Sequence, residues 1–334
     1  MTVVRLRPAT HQWGRPIRKH GPYLRISSCR TGRSVAKGAP DDVFVLDFDG
    51  VVCDSGGEVM RAGLAVARER WPHAFGGDID EGALVDSLNR VRPRLISGFE
   101  SAVMARFVAE EGSRAVDDIL GCKDWSVRFG ELLKGYGCSR ENLQGEFERW
   151  RLERIESDYA GWLALNPLYR DVCEAIEDCP SPTYFASSKA GRRLITLLRS
   201  LLNIDVGEES PRVFHSLIPP NEMKLEALEH VMARPVASDR RTQLHFVDDR
   251  LETLEYVLEN AGDELLGRYK LYLASWGYCT DEEIQRARRT KGLRVIQLDE
   301  LCELLRFGII MGVNDGCQDT DDEARNAVYS PRSS

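Results

Sequence analysis

The stretch Val43-Phe-Val-Leu-Asp-Phe-Asp-Gly-Val-Val-Cys-Asp54 decides how this chain of 334 residues is read. Residues 43–46 form an unbroken apolar run that ends on Asp47, Asp49 and Gly50. Such a run suits a strand buried on both faces, as in a parallel sheet, and Gly50 lets the chain turn sharply as it leaves. Two carboxylates then sit at the carboxyl end of a buried strand, where open α/β sheets place their ligands. Residues i and i+2 of an extended chain point to one side. Asp47 and Asp49 can therefore address one substrate, one as nucleophile and the other as general acid/base. The plain alternative is a strand end capped by two solvated acids, and the rest of the chain has to decide between them.

Upstream, residues 1–40 carry nine Lys/Arg and no acid, leaving 36 basic against 53 acidic residues beyond, a net of −17. An Arg-rich, acid-free start with hydroxyl residues and no apolar h-region predicts an organelle transit peptide rather than a secretory signal. A basic nucleic-acid arm or an unstructured leader without function are the other readings. Nine cysteines without a Cys-x-x-Cys pair argue against a zinc knot or disulfide framework and fit a reducing compartment. Hydrophobic residues make up 43%, enough for a globular core. No run approaches the roughly 18 apolar residues of a membrane helix. Neither membrane nor nucleic acid is the expected partner.

Downstream the pattern becomes helical, with apolar residues at helical spacing over 58–70, 81–91, 100–111, 124–134 and 141–157. An all-helical insertion over 56–179 is expected, bounded by Gly56-Gly57 and Pro180-Ser-Pro182. It is interrupted after Val91 by Arg92-Pro-Arg94, whose arginines either reach an anionic leaving group or are solvated in an ordinary turn. After Pro182, strands are predicted at 183–186, 213–216, 243–247, 271–274 and 293–298. Ser187 ends the first of these, Lys224 opens a helix over 225–232, and Asp248-Asp249-Arg250 follows strand 243–247. Taken singly, Ser187 is as easily a helix cap and Lys224 a surface lysine. The acidic, Ser-rich tail from 313 is expected to be disordered.

Taken together, Asp47-Phe-Asp49-Gly-Val51, Ser187, Lys224 and Asp248-Asp249 resemble, in order, the four motifs of the haloacid dehalogenase-like (HAD) superfamily. The resemblance implies an α/β fold: a doubly wound parallel Rossmann-like core over 41–55 and 180–312, carrying a helical C1-type cap domain over 56–179. It implies Mg2+ held by Asp47, Asp249, Asp248 and the Asp49 main-chain carbonyl. Asp47 would be the nucleophile that forms an aspartyl-phosphate, Asp49 the acid/base, and Ser187 and Lys224 the groups that stabilise transferring charge. The fourth motif has two registers, with Asp249 as ligand or with Asp248 sharing the duty; Glu252 lies four after Asp248. An acid at position 49 favours a phosphatase or phosphomutase over a dehalogenase, which has no leaving alkoxide to protonate. The expected substrate is a small phosphorylated metabolite, and a non-catalytic scaffold of the same fold is the alternative from another class. Phe246-Val-Asp-Asp-Arg250 and Trp276-Gly-Tyr278 look similar to HAD-like hydrolases of cyanobacteria and plants, which points the leader to the plastid rather than the mitochondrion.

Overall fold

The computed structural model describes residues 41–77 and 79–311. The import leader read over 1–40 and the tail read from 313 lie outside the described residues. β1 (Asp42–Leu46) is followed by α1 (Gly56–Arg70), α2 (Glu81–Val91), α3 (Glu100–Glu111), α4 (Ser113–Gly121), α5 (Trp125–Gly135), α6 (Arg140–Ser157), α7 (Tyr159–Ala164) and α8 (Arg170–Asp178). Alternation then begins with β2 (Thr183–Ala186), α9 (Gly191–Leu202), β3 (Val213–Phe214), α10 (Pro220–Met232), β4 (Gln243–Asp248) and α11 (Leu251–Asn260). It ends with α12 (Asp263–Arg268), β5 (Tyr269–Ala274), α13 (Asp281–Ala287), β6 (Leu293–Ile296) and α14 (Leu298–Phe307). Among the described residues no helix is long and apolar enough to cross a membrane.

The strands form one parallel six-stranded sheet in the order β3-β2-β1-β4-β5-β6. β1 is central, with Leu46 beside Phe185 of β2 and Val247 of β4. Alternate residues of β1 serve opposite faces, as the pleat requires. Phe44 and Leu46 pack into a core with α8, α9 and α14, while Val43 and Val45 pack with α10 and α11 on the other face. Burial on both sides is why the run lacks polar alternation. The order of strands reverses between β1 and β4, so the carboxyl ends of these two strands open onto a topological switch point. Asp47 leaves β1 there and Asp248 ends β4 there.

Helices α1 to α6 build a second, separate core around Leu88, Val103, Met104, Phe129 and Phe147. Several start on side-chain caps: Asp80 accepts from the Gly82 and Ala83 N–H groups, Asp124 from Val127, and Ser139 from Asn142. The helical insertion does not run as one layer to residue 179. Trp162 of α7 and Val172, Cys173, Ala175 and Ile176 of α8 belong to the sheet's core, so α8 is a covering helix of the sheet. The insertion joins the sheet layer through two linkers. Asp54 N–H donates to the Pro167 carbonyl (2.8 Å), and Cys53 and Leu168 pair as an antiparallel bridge.

Candidate active site

After β1 the chain turns within a few residues: the Val52 and Cys53 N–H groups both donate to the Phe48 carbonyl, at 3.0 and 2.9 Å. Gly50 has φ +86°, and a Cβ there would lie 1.9 Å from Asp249 Oδ2. Glycine is required twice over at this position, for its backbone angle and for the approach of Asp249. The turn presents Asp47 and Asp49 to a cavity of about 410 Å³ between the sheet edge and the helical insertion.

Asp47, Asp248 and Asp249 are all buried, and one carboxylate oxygen from each lies within 4.8 Å of the others. Lys224 enters this cluster from α10, with Nζ 2.9 Å from Asp47 Oδ2 and 2.6 Å from Asp248 Oδ2. Asp248 Oδ1 accepts from the Arg250 N–H (2.9 Å), so both of its oxygens are engaged. Asp249 lines the cavity and accepts from the Tyr278 N–H through Oδ2 (2.7 Å). Burial, with help from the neighbouring acids and against Lys224, pushes the Asp47 carboxyl up to about 8. Burial and Asp248 likewise raise Asp249 to about 6. Fully ionised, the three carboxylates exceed the one ammonium by two negative charges on oxygen donors alone, and the raised Asp47 and Asp249 carboxyls show that the protein does not offset that charge by itself. A hard divalent cation such as Mg2+ fits that donor set and that deficit.

Asp49 has a different surrounding. Burial alone would raise its carboxyl, but Lys189 (3.2 Å), Ser55 and Arg92 outweigh it and hold the group below the usual carboxylate range. Asp47 and Asp49 are therefore held apart in protonation behaviour, one raised and one lowered, which suits two roles in one reaction.

The remaining expected residues divide. Lys224 stands in the acid cluster. Ser187 lies buried at the end of β2, where its hydroxyl accepts from the Lys189 N–H (3.2 Å). The cavity wall on that side is made instead by Ser188, Lys189 and Ala190. Arg92 lines the cavity with its guanidinium 3.7 Å over the Tyr278 ring, and its Nε is buried without a hydrogen-bond partner among the described residues. Arg94 is half-buried and does not line this cavity. It donates to the Leu120 carbonyl (2.7 Å) and lies 4.0 Å from Glu283 of α13, tying the insertion to the sheet layer. The expectation that Arg94 meets the leaving group is thereby corrected.

Sequence reasoning missed Lys189, Arg193, Arg250 and Tyr278, all on the cavity wall. Lys189 follows Ser187 by two residues, and that spacing was the one available signal. Arg250 donates to the Leu95 carbonyl of the insertion (2.7 Å), while Arg193 of α9 pairs with Glu148 of α6 (Nη2–Oε1 3.1 Å). The wall carries seven Lys/Arg against four Asp/Glu, a balance suited to an anionic ligand.

No family model matches the chain, and no curated protein matches it by sequence. Among solved structures the chain is similar in fold to several others. One is a candidate phosphatase from Clostridium difficile (14% identity, TM-score 0.48, 79% of this chain and 98% of that one). Another is a candidate β-phosphoglucomutase from Thermotoga maritima (14%, 0.41, 79% and 98%). A third is a HAD family hydrolase from Deinococcus radiodurans with bound phosphate and sodium (14%, 0.39, 80% and 96%). At such identities and scores, what the site does has to be read from its own side chains.

Proposed function

We propose that the chain is a Mg2+-dependent phosphoric monoester hydrolase that works through an aspartyl-phosphate on Asp47. The observation that carries the reading is the convergence of buried Asp47, Asp248 and Asp249 at the sheet's switch point, with Asp49 and two lysines beside them. Asp47, Asp249 and Asp248, with the Asp49 main-chain carbonyl, would hold the metal. Bound there, it supplies the positive charge that lets a carboxylate approach a phosphate dianion.

Asp47 attacks phosphorus through a carboxylate oxygen as the bond to the leaving oxygen breaks. Lys224 keeps Asp47 oriented and offsets the gathered negative charge. Asp49 gives a proton to the leaving oxygen, and then takes one from the water that attacks the aspartyl-phosphate. Lys189 favours the ionised form of Asp49, the form the second step needs. A phosphoryl group that draws Lys189 to its own oxygens lets the carboxyl of Asp49 rise and take up a proton from solvent, and that proton is the one it gives to the leaving oxygen. The leaving group meets Arg92, Arg140 and Gln144 of the helical insertion, so a polar or anionic metabolite suits the cavity.

The test is a panel of phosphate monoesters offered to the purified protein with Mg2+ or with EDTA. Hydrolysis that requires Mg2+ and disappears in Asp47→Asn is the expected result. Turnover undiminished by EDTA or by that substitution would overturn the mechanism.

A further inference from the structure

We infer that Tyr278 is a positioning residue that ties the seating of the helical insertion to the carboxylate Asp249. Four contacts converge on this one side chain and its peptide. Its main-chain N–H holds Asp249 Oδ2 at 2.7 Å. Its hydroxyl donates to Asp54 Oδ1 (2.7 Å) and accepts from the Gly56 N–H (2.6 Å), both on the first linker into the insertion. Its ring carries the Arg92 guanidinium of the insertion at 3.7 Å.

The surrounding packing leaves this arrangement little freedom. A Cβ on Gly277 would lie 2.3 Å from Asp249 Cβ and 2.7 Å from the Gly50 carbonyl, so the peptide before Tyr278 is pressed against the acid cluster. A Cβ on Gly56 would come within 3.3 Å of the Tyr278 hydroxyl. On the other side the Trp276 indole N–H reaches the Val51 carbonyl (3.3 Å), fixing the same loop to the turn that presents Asp47.

The linker that Tyr278 grips is the one paired to the return linker by Asp54 and Pro167. A change in how the insertion sits must therefore move Asp54, Gly56 or Arg92, and all three bear on Tyr278. Seating and the position of Asp249 become one equilibrium rather than two. A side chain that merely filled space would need neither the bridging hydroxyl nor the stacked cation.

Tyr278→Phe removes the hydroxyl and keeps the ring and the N–H to Asp249; Asp54→Ala removes the same bond from the other side. Amide hydrogen exchange needs no activity. Both variants should raise exchange about ten-fold over residues 54–57 and 166–169 and leave β1 and β4 unchanged. The kinetic consequence rests on the phosphatase reading. When only a fraction of molecules is seated, apparent affinity falls by that fraction. With p-nitrophenyl phosphate and Mg2+, KM should rise about ten-fold while kcat stays within about two-fold, and the Mg2+ concentration for half-maximal rate should rise with KM because Asp249 moves with the seating. Unchanged linker exchange in both variants, or a loss of kcat at constant KM, would overturn the inference. If the unsubstituted protein hydrolyses no ester, the phosphatase reading fails and the exchange result still decides the role of Tyr278.

Discussion

Replacing Lys224 with Met keeps a long, flexible side chain and removes the ammonium that lies 2.9 Å from Asp47 and 2.6 Å from Asp248. All three residues are at most 5% exposed, so solvent cannot replace the lost charge. Removing one partner of a buried ion pair costs about 3–5 kcal/mol, because the other charge stays behind uncompensated. Here two carboxylates lose a shared cation with a third acid beside them. Proton uptake relieves part of the cost, since the Asp47 carboxyl already stands near 8. The expected deficit in EDTA is therefore at the lower end, about 3 kcal/mol of unfolding free energy. A ligand at 100 times its Kd contributes about 2.7 kcal/mol, so Mg2+ can offset most of that deficit. Mg2+ should also stabilise the variant more than the unsubstituted protein, where Lys224 already supplies one positive charge to the cluster. Urea unfolding with and without Mg2+ measures both quantities. A deficit under about 1 kcal/mol in EDTA, or equal stabilisation of both proteins by Mg2+, would refute the reasoning.

Arg151→Met should cost about 3–5 kcal/mol in urea unfolding, because it leaves Glu58 buried and unpaired inside the helical insertion; a loss below about 1 kcal/mol would mean the site relaxes. His245 is buried between the Phe44 and Tyr272 rings, and burial, against the pull of Asp42, holds its pKa below the ordinary value. The folded state thus prefers neutral His245. Its contribution is complete above about pH 6.5 and is lost as pH falls below that value toward the depressed folded pKa. Tm measured from pH 7.5 down to 5.5 should therefore fall less steeply in His245→Phe than in the unsubstituted protein, and parallel curves would contradict the assignment.

The central strand and its acids were legible because burial on both faces forces an unbroken apolar run, and this one ends on paired aspartates and a glycine. Asp47, Asp49, Lys224, Asp248 and Asp249 were likewise visible from type and order. The helical insertion was visible from its period. Period reports that a face is buried and not what buries it, which is why α8 was read with α1 to α6 although its apolar face lies on the sheet. The third strand ends at Phe214 rather than 216, since the chain turns at Ser216, whose φ is +56°. Arg92 and Arg94 are two residues apart in one short turn, yet they reach different partners, Tyr278 and Leu120. Local sequence cannot separate them, because the reach of an arginine is decided by chain brought in from elsewhere. The same holds for Tyr278, whose partners Asp54 and Gly56 lie more than 220 residues away.

The central claim is that Asp47 becomes phosphorylated, and Asp49→Asn isolates that step. p-Nitrophenolate leaves without needing a proton, whereas release of phosphate from Asp47 needs a base to activate water. Rapid mixing of Asp49→Asn with p-nitrophenyl phosphate and Mg2+ should give a burst of one equivalent of p-nitrophenolate per chain. Phosphate should lag behind it, and the burst should vanish when Asp47→Asn is added. Nitrophenolate and phosphate released in step, or a burst that survives Asp47→Asn, would contradict the account.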